Sequence, residues 1–208
     1  MHSVDRGPEP ARLKPIRRRL TPAWVRHYRM HQGNRPGDAR WREFQLELSD
    51  AFFSLCGYCE TECKGEVDHF RPKSREPELA YEWTNWVLAC HTCNQAKAEK
   101  WPAGGYVDPC AKRAPERPES FFDFDTTTGE IKPKEDLSEG RRRRARRMIE
   151  DLNLNGYHHL KARTFHLSLL ACALKDPSCQ EVAALVARRG EKLSSISRQF
   201  LVEKRFSV

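Results

Sequence analysis

Long apolar runs are missing from this chain. No segment approaches the roughly 20 consecutive apolar residues that a membrane-spanning helix needs. The mean hydropathy is −0.78, so no membrane association is expected. The opening stretch MHSVDRGPEPARLKPIRRRL has charges but no apolar segment behind them, which is not how a secretory leader reads. The cytoplasm is the expected compartment. No internal repeat is visible, so a repeat array is not expected. Apolar residues make up only 38% of the 208 positions and charged ones 32%. That is enough for a folded core, with much of the chain facing water.

An acidic balance is also absent. Lys and Arg number 37 against 29 Asp and Glu, a formal charge of +8. Such a balance suits a polyphosphate partner, DNA or RNA, because Lys and Arg displace its condensed counterions. Ordinary surface charge explains it equally well until a motif decides.

The residue pattern predicts a mostly helical α+β chain. Residues 1–20, rich in Pro and Arg, are expected to be poorly ordered. Thr21 followed by Pro22 reads as an N-cap and first helical position, opening a short helix to about Gln32. HQGNRPGD is a turn. Asp38 can cap a second helix whose apolar residues are Trp41, Phe44, Leu46, Leu48, Phe52 and Phe53. EVDHF (66–70) and NWVLA (85–89) read as short strands, and a helix starts near 93. FFDFD, TTTGE and IKP form an extended–turn–extended hairpin pattern. Beyond Leu137 the chain turns helical, with Ala145, Met148, Ile149 and Leu152 in an amphipathic stripe. Two further helices are expected over roughly 156–175 and 178–200. Three regions follow: a basic tail with helices (1–55), a cysteine-bearing module (56–105), and a hairpin with C-terminal helices (106–208).

Of eight cysteines, four form two Cys-x-x-Cys pairs, Cys56/Cys59 and Cys90/Cys93. Zinc prefers four soft ligands in a tetrahedron, and each such turn offers two at a suitable bite. In a reducing compartment these pairs favour structural Zn²⁺ over a disulfide or redox couple. Cys63 is a competing ligand for Cys56, but the first pair has the usual spacing. His91, inside the second pair, reads as a surface residue.

Between and after these pairs stand VDHFRPKS (67–74), TNWVLAC (84–90) and CNQAK (93–97). Here the sequence resembles the HNH endonuclease family, whose site is a ββα-metal fold. The resemblance rests on Asp68-His69, on Asn85 five residues before Cys90, and on Asn94 directly after Cys93. It implies a metal-dependent phosphodiester hydrolase in which His69 is the general base. Asp68 and Asn94 would hold one catalytic divalent cation, Mg²⁺ or Mn²⁺, and Asn85 would brace the loop and orient His69. An ordinary imidazole pKa of about 6.5 suits a base near neutral pH. Many members carry His where this chain has Asn94, which leaves the preferred metal open. Arg71, Lys73 and Lys97 flank the motif as candidate phosphate contacts, with solvated charge as the alternative. Trp83 and Trp86 read as packing rather than base stacking.

A narrower likeness extends over about 56–165 through YVDP (106–109), FDFDTTTGEI (122–131) and RRMIEDLNLN (146–155). These segments are similar to the HNH nucleases of Septu-type and retron-associated anti-phage systems. The likeness implies a defence effector acting with an ATPase partner. RRRRARR (141–147) has six arginines in seven positions and favours phosphate contact over a plain wet helix face, with an acidic partner surface as a third option. DNA is the favoured substrate. A ribonuclease acting on tRNA and a non-catalytic zinc-knuckle nucleic-acid binder are the alternatives.

Overall fold

The computed structural model describes residues 1–37 and 39–206; Asp38, the expected cap of the second helix, lies outside them. The first helix, α1 (Leu13–Met30), begins well ahead of Thr21 and carries Pro22 in its interior. Leu13, Ile16 and Trp24 are buried along it and Leu20 is half-buried. This apolar spacing of three and four residues outweighs the hydrogen bond that Pro22 removes. The segment before it is also packed: Met1 is buried and the Val4 N–H donates to the Pro109 carbonyl at 2.8 Å. The expectation that residues 1–20 are poorly ordered is therefore corrected.

A 3₁₀ turn (Arg40–Phe44) leads into α2 (Gln45–Ala51). Phe44, Leu48 and Phe52 are buried, whereas Leu46 is 78% and Phe53 58% exposed. The buried three recur every four residues and share a face; Leu46 points to the opposite side. Strands β1 (Glu66–His69) and β2 (Trp86–Ala89) pair antiparallel, with Asp68 opposite Val87 and His69 opposite Trp86. Helix α3 (His91–Lys97) follows directly. Helix α2 packs on β2, and α3 packs on β1. Trp83 and Trp86 are buried beneath this unit.

The hairpin forms as expected from β3 (Phe122–Phe124) and β4 (Ile131–Pro133). Its edges are covered by side-chain amides. Gln199 brackets Phe124 (2.9 and 2.7 Å), and Asn155 brackets Ile131 (2.9 Å twice). Helices α4 (Glu139–Asp151) and α5 (Tyr157–Ala173) follow. The single helix expected over 178–200 is two: α6 (Gln180–Val186) and α7 (Ser194–Glu203). Gly190 at φ +95° and Leu193 at φ +55° break it. The Leu193 N–H donates to the Glu60 carbonyl (3.0 Å) instead of continuing a helix. The fold is thus mostly helical, with two small two-stranded sheets. Among the described residues, no helix is long and apolar enough to cross a membrane.

Candidate active site and metal centre

The two knuckles converge. The Sγ atoms of Cys56, Cys59, Cys90 and Cys93 all lie within 4.8 Å of one another. A tetrahedron with Zn–S bonds of about 2.3 Å has edges of about 3.8 Å, and Cys59 and Cys90 stand 3.8 Å apart. The four thiols therefore fit a closed structural Zn²⁺ site. Hydrogen bonds from Cys56, Cys90 and Cys93 hold the Cys59 thiol well below its usual range. Gly57 permits the first turn: a Cβ there would come within 2.7 Å of Phe52 and 2.8 Å of Val87. His159, from α5, reaches Cys93 Sγ with Nε2 at 3.7 Å.

Tyr58 lies inside the first knuckle and is buried. Its hydroxyl donates to Asp68 Oδ2 at 2.5 Å. The other carboxylate oxygen, Oδ1, accepts from Lys97 Nζ at 3.0 Å, and Lys97 also donates to the His69 carbonyl at 2.7 Å. Among the described residues, the two side-chain donors of Asp68 thus come from elements that carry the cysteine cluster: Tyr58 between Cys56 and Cys59, Lys97 on the helix that carries Cys93.

His69 is 5% exposed. Its Nε2 lies 2.8 Å from the Ala80 carbonyl. A carbonyl only accepts, so Nε2 carries the proton and Nδ1 the lone pair. Burial, then the charges of Lys73 and Lys97, push its pKa down to about 3 against the opposing Ala80 hydrogen bond. The imidazole is therefore neutral far below pH 7, not poised near the ordinary value of about 6.5. The Trp41 ring meets it edge-on, centroids 4.8 Å apart.

Asn85 is buried beside this loop. Its Oδ1 accepts from the Arg71 N–H (2.9 Å), and its Nδ2 donates to the carbonyls of Arg71 (3.0 Å) and Leu79 (3.2 Å). It braces the segment that ends at Ala80, the anchor of the His69 ring. Asn94 donates through Nδ2 to Glu66 Oε2. Burial raises the Glu66 pKa, but hydrogen bonds from His91 and Asn94 outweigh this and hold it below the ordinary range.

Glu66, Asp68, His69, Lys73 and Asn94 line one cleft of about 610 Å³. The carboxylate of Asp68 and the amide oxygen of Asn94 are hard donors that suit Mg²⁺ or Mn²⁺. Of the expected phosphate contacts, Lys73 reaches this cleft. Arg71 is exposed but does not line it. Lys97 is corrected: it is 0% exposed and spent on Asp68 and His69. Its three-residue spacing from Asn94 turns it toward β1 rather than solvent.

The arginine run of α4 is corrected in part: Arg141, Arg142 and Arg144 are engaged within the protein, whereas Arg143, Arg146 and Arg147 are exposed. Arg141 bonds the Pro115 carbonyl and lies over the Phe121 ring. Arg142 bonds the Glu135 and Leu137 carbonyls, and Arg144 holds Glu116 (2.8 Å) and the Tyr106 carbonyl (3.0 Å). These side chains fasten the 106–137 segment, and none of the run lines the cleft. Several residues in or behind the cleft lie outside the motif. Glu66 was discoverable, two residues from Asp68 on an alternating strand. Tyr58 and the N-terminal wall of Arg35, Trp41 and Arg42 had no local signal.

Two antiparallel strands and a helix, gathered around four cysteines and opening on an Asp, a His and an Asn, make a ββα unit. Residues 56–100 match the family model for HNH endonuclease, a nuclease-type domain. No curated protein matches the chain.

Proposed function

We propose that this protein is an HNH endonuclease that hydrolyses nucleic-acid phosphodiester bonds, DNA by preference, with one divalent cation. The observation that carries this reading is His69. Its Nε2–H is committed to the Ala80 carbonyl, and its Nδ1 is neutral and unprotonated in a cleft that also holds Asp68 and Asn94. Nδ1 takes the proton of an attacking water, and the new P–O bond forms as the 3′ oxygen leaves. Asp68 and Asn94 would hold Mg²⁺ or Mn²⁺, which would supply positive charge to offset that developing on the phosphoryl and leaving oxygens. Asn85 positions the loop that fixes His69. Lys73, with Arg35 and Arg42, contacts phosphates flanking the scissile bond. The likeness over 56–165 supports a role as an anti-phage effector working with an ATPase partner.

The test is cleavage of plasmid DNA and total tRNA with Mg²⁺ or EDTA, for the wild type and His69→Ala, with and without a co-encoded ATPase. Mg²⁺-dependent DNA cleavage lost in His69→Ala is expected. Cleavage untouched by that substitution refutes the assignment; cleavage of tRNA alone makes the enzyme a ribonuclease.

A further inference from the structure

An asparagine side chain has two chemically opposite ends. Oδ1 can ligate a cation and Nδ2 cannot. A cation site that uses Asn94 therefore needs something to decide which end faces Asp68. Glu66 and Asp68 are two apart on β1 and share a face. His91, Asn94 and Lys97 recur every third residue of α3 and form the opposing row. The rows mesh: Glu66 Oε2 takes Asn94 Nδ2, Glu66 Oε1 takes His91 Nδ1 (2.9 Å), and Asp68 Oδ1 takes Lys97 Nζ (3.0 Å). A carboxylate only accepts hydrogen bonds, so only the NH₂ end of Asn94 can face Glu66. The amide is planar with its ends directed apart, which turns Oδ1 away from Glu66. Oδ1 makes no hydrogen bond among the described residues.

Building on the metal centre proposed above, we propose that Glu66 is a positioning residue that locks the Asn94 amide with Oδ1 toward the cation shared with Asp68. Glu66 acts through Asn94, not as a ligand. His91 holds the second Glu66 oxygen and keeps the carboxylate in register.

The test titrates Mn²⁺ into the zinc-loaded full chain and reads free Mn²⁺ by electron paramagnetic resonance. Wild type, Glu66→Gln, Asn94→Ala and the double variant are compared. Glu66→Gln is expected to weaken Mn²⁺ binding about 10-fold, the usual scale for outer partners of a ligand, with zinc content and far-UV circular dichroism unchanged. In the Asn94→Ala background most of that loss disappears, because the group being oriented is gone. Unaltered affinity in Glu66→Gln, or an equal loss in both backgrounds, overturns the proposal. Should Glu66→Gln lose zinc, the wild-type Asn94 Nδ2H₂ resonances decide. They stay at hydrogen-bonded shifts with Mg²⁺ bound if Glu66 holds them, and a move to free-amide shifts refutes it. A wild type that binds no Mn²⁺ refutes the metal centre itself, whereas wild-type binding matched by Glu66→Gln refutes only the role of Glu66.

Discussion

Replacing Lys97 by Met probes the buried core of the site. Lys97 is 0% and Asp68 5% exposed, and Nζ donates to Asp68 Oδ1 at 3.0 Å and to the His69 carbonyl at 2.7 Å. Met keeps most of the aliphatic stem but removes the charge and the donors. Asp68 is then left as a buried carboxylate with the Tyr58 hydroxyl as its remaining donor. Breaking a buried pair on one side costs about 3–5 kcal/mol, since the surviving charge is uncompensated. Against a total stability of about 5–15 kcal/mol this is severe. At about 2–4 °C per kcal/mol for a chain of this size, Tm falls by about 6–20 °C. The assay is urea unfolding of zinc-loaded protein in Mg²⁺-free buffer, followed by tryptophan fluorescence, to which the buried Trp24, Trp83 and Trp86 contribute. The double variant Asp68→Asn, Lys97→Met removes both charges and should recover much of the loss. A loss below about 1 kcal/mol for Lys97→Met, the scale of an exposed pair, refutes the reasoning. So does a double variant weaker than the single.

Three other outcomes are expected. The His69 pKa lies near 3 in the folded chain and near 6.5 unfolded, so between these values the unfolded state binds a proton that the folded state refuses. Stability from the neutral ring is thus complete above pH 6.5 and falls on acidification, by about 2 kcal/mol from pH 7 to 5; His69→Asn should lose less over that interval, and equal losses would contradict the burial effect. Tyr58→Phe removes the donor to Asp68 Oδ2 and should cost about 1–3 kcal/mol in urea unfolding, with four-thiolate zinc retained by metal analysis. Stripping zinc with a chelator, or Cys56→Ser, should collapse near-UV circular dichroism and abolish Mn²⁺ binding together, because Tyr58 and Lys97 both hang from zinc-anchored elements; retained Mn²⁺ binding without zinc would deny that linkage.

Local patterns worked where chemistry is carried by neighbours in the chain. The hairpin of β3 and β4, the knuckles and the β1–β2–α3 order follow from alternation, turn residues and Cys spacing. They failed where distant packing overrode a local signal. Pro22 reads as a helix start, but Leu13 and Ile16 find a core and draw the helix back to Leu13. Arg141, Arg142 and Arg144 read as a phosphate track, but the 106–137 segment offers carbonyls and Glu116 and absorbs them.

The sequence by itself marked out the paired cysteines and the candidate set Asp68, His69, Asn85 and Asn94, because their spacing carries the family resemblance. Tertiary structure alone decided their state. It buried His69 under Trp41 and drove its imidazole neutral, turned Lys97 inward onto Asp68, and brought Tyr58 to Asp68 and Glu66 to Asn94. The physical reason is that desolvation and hydrogen-bond partnership belong to the surroundings of a residue, and those surroundings come from segments far away in the chain.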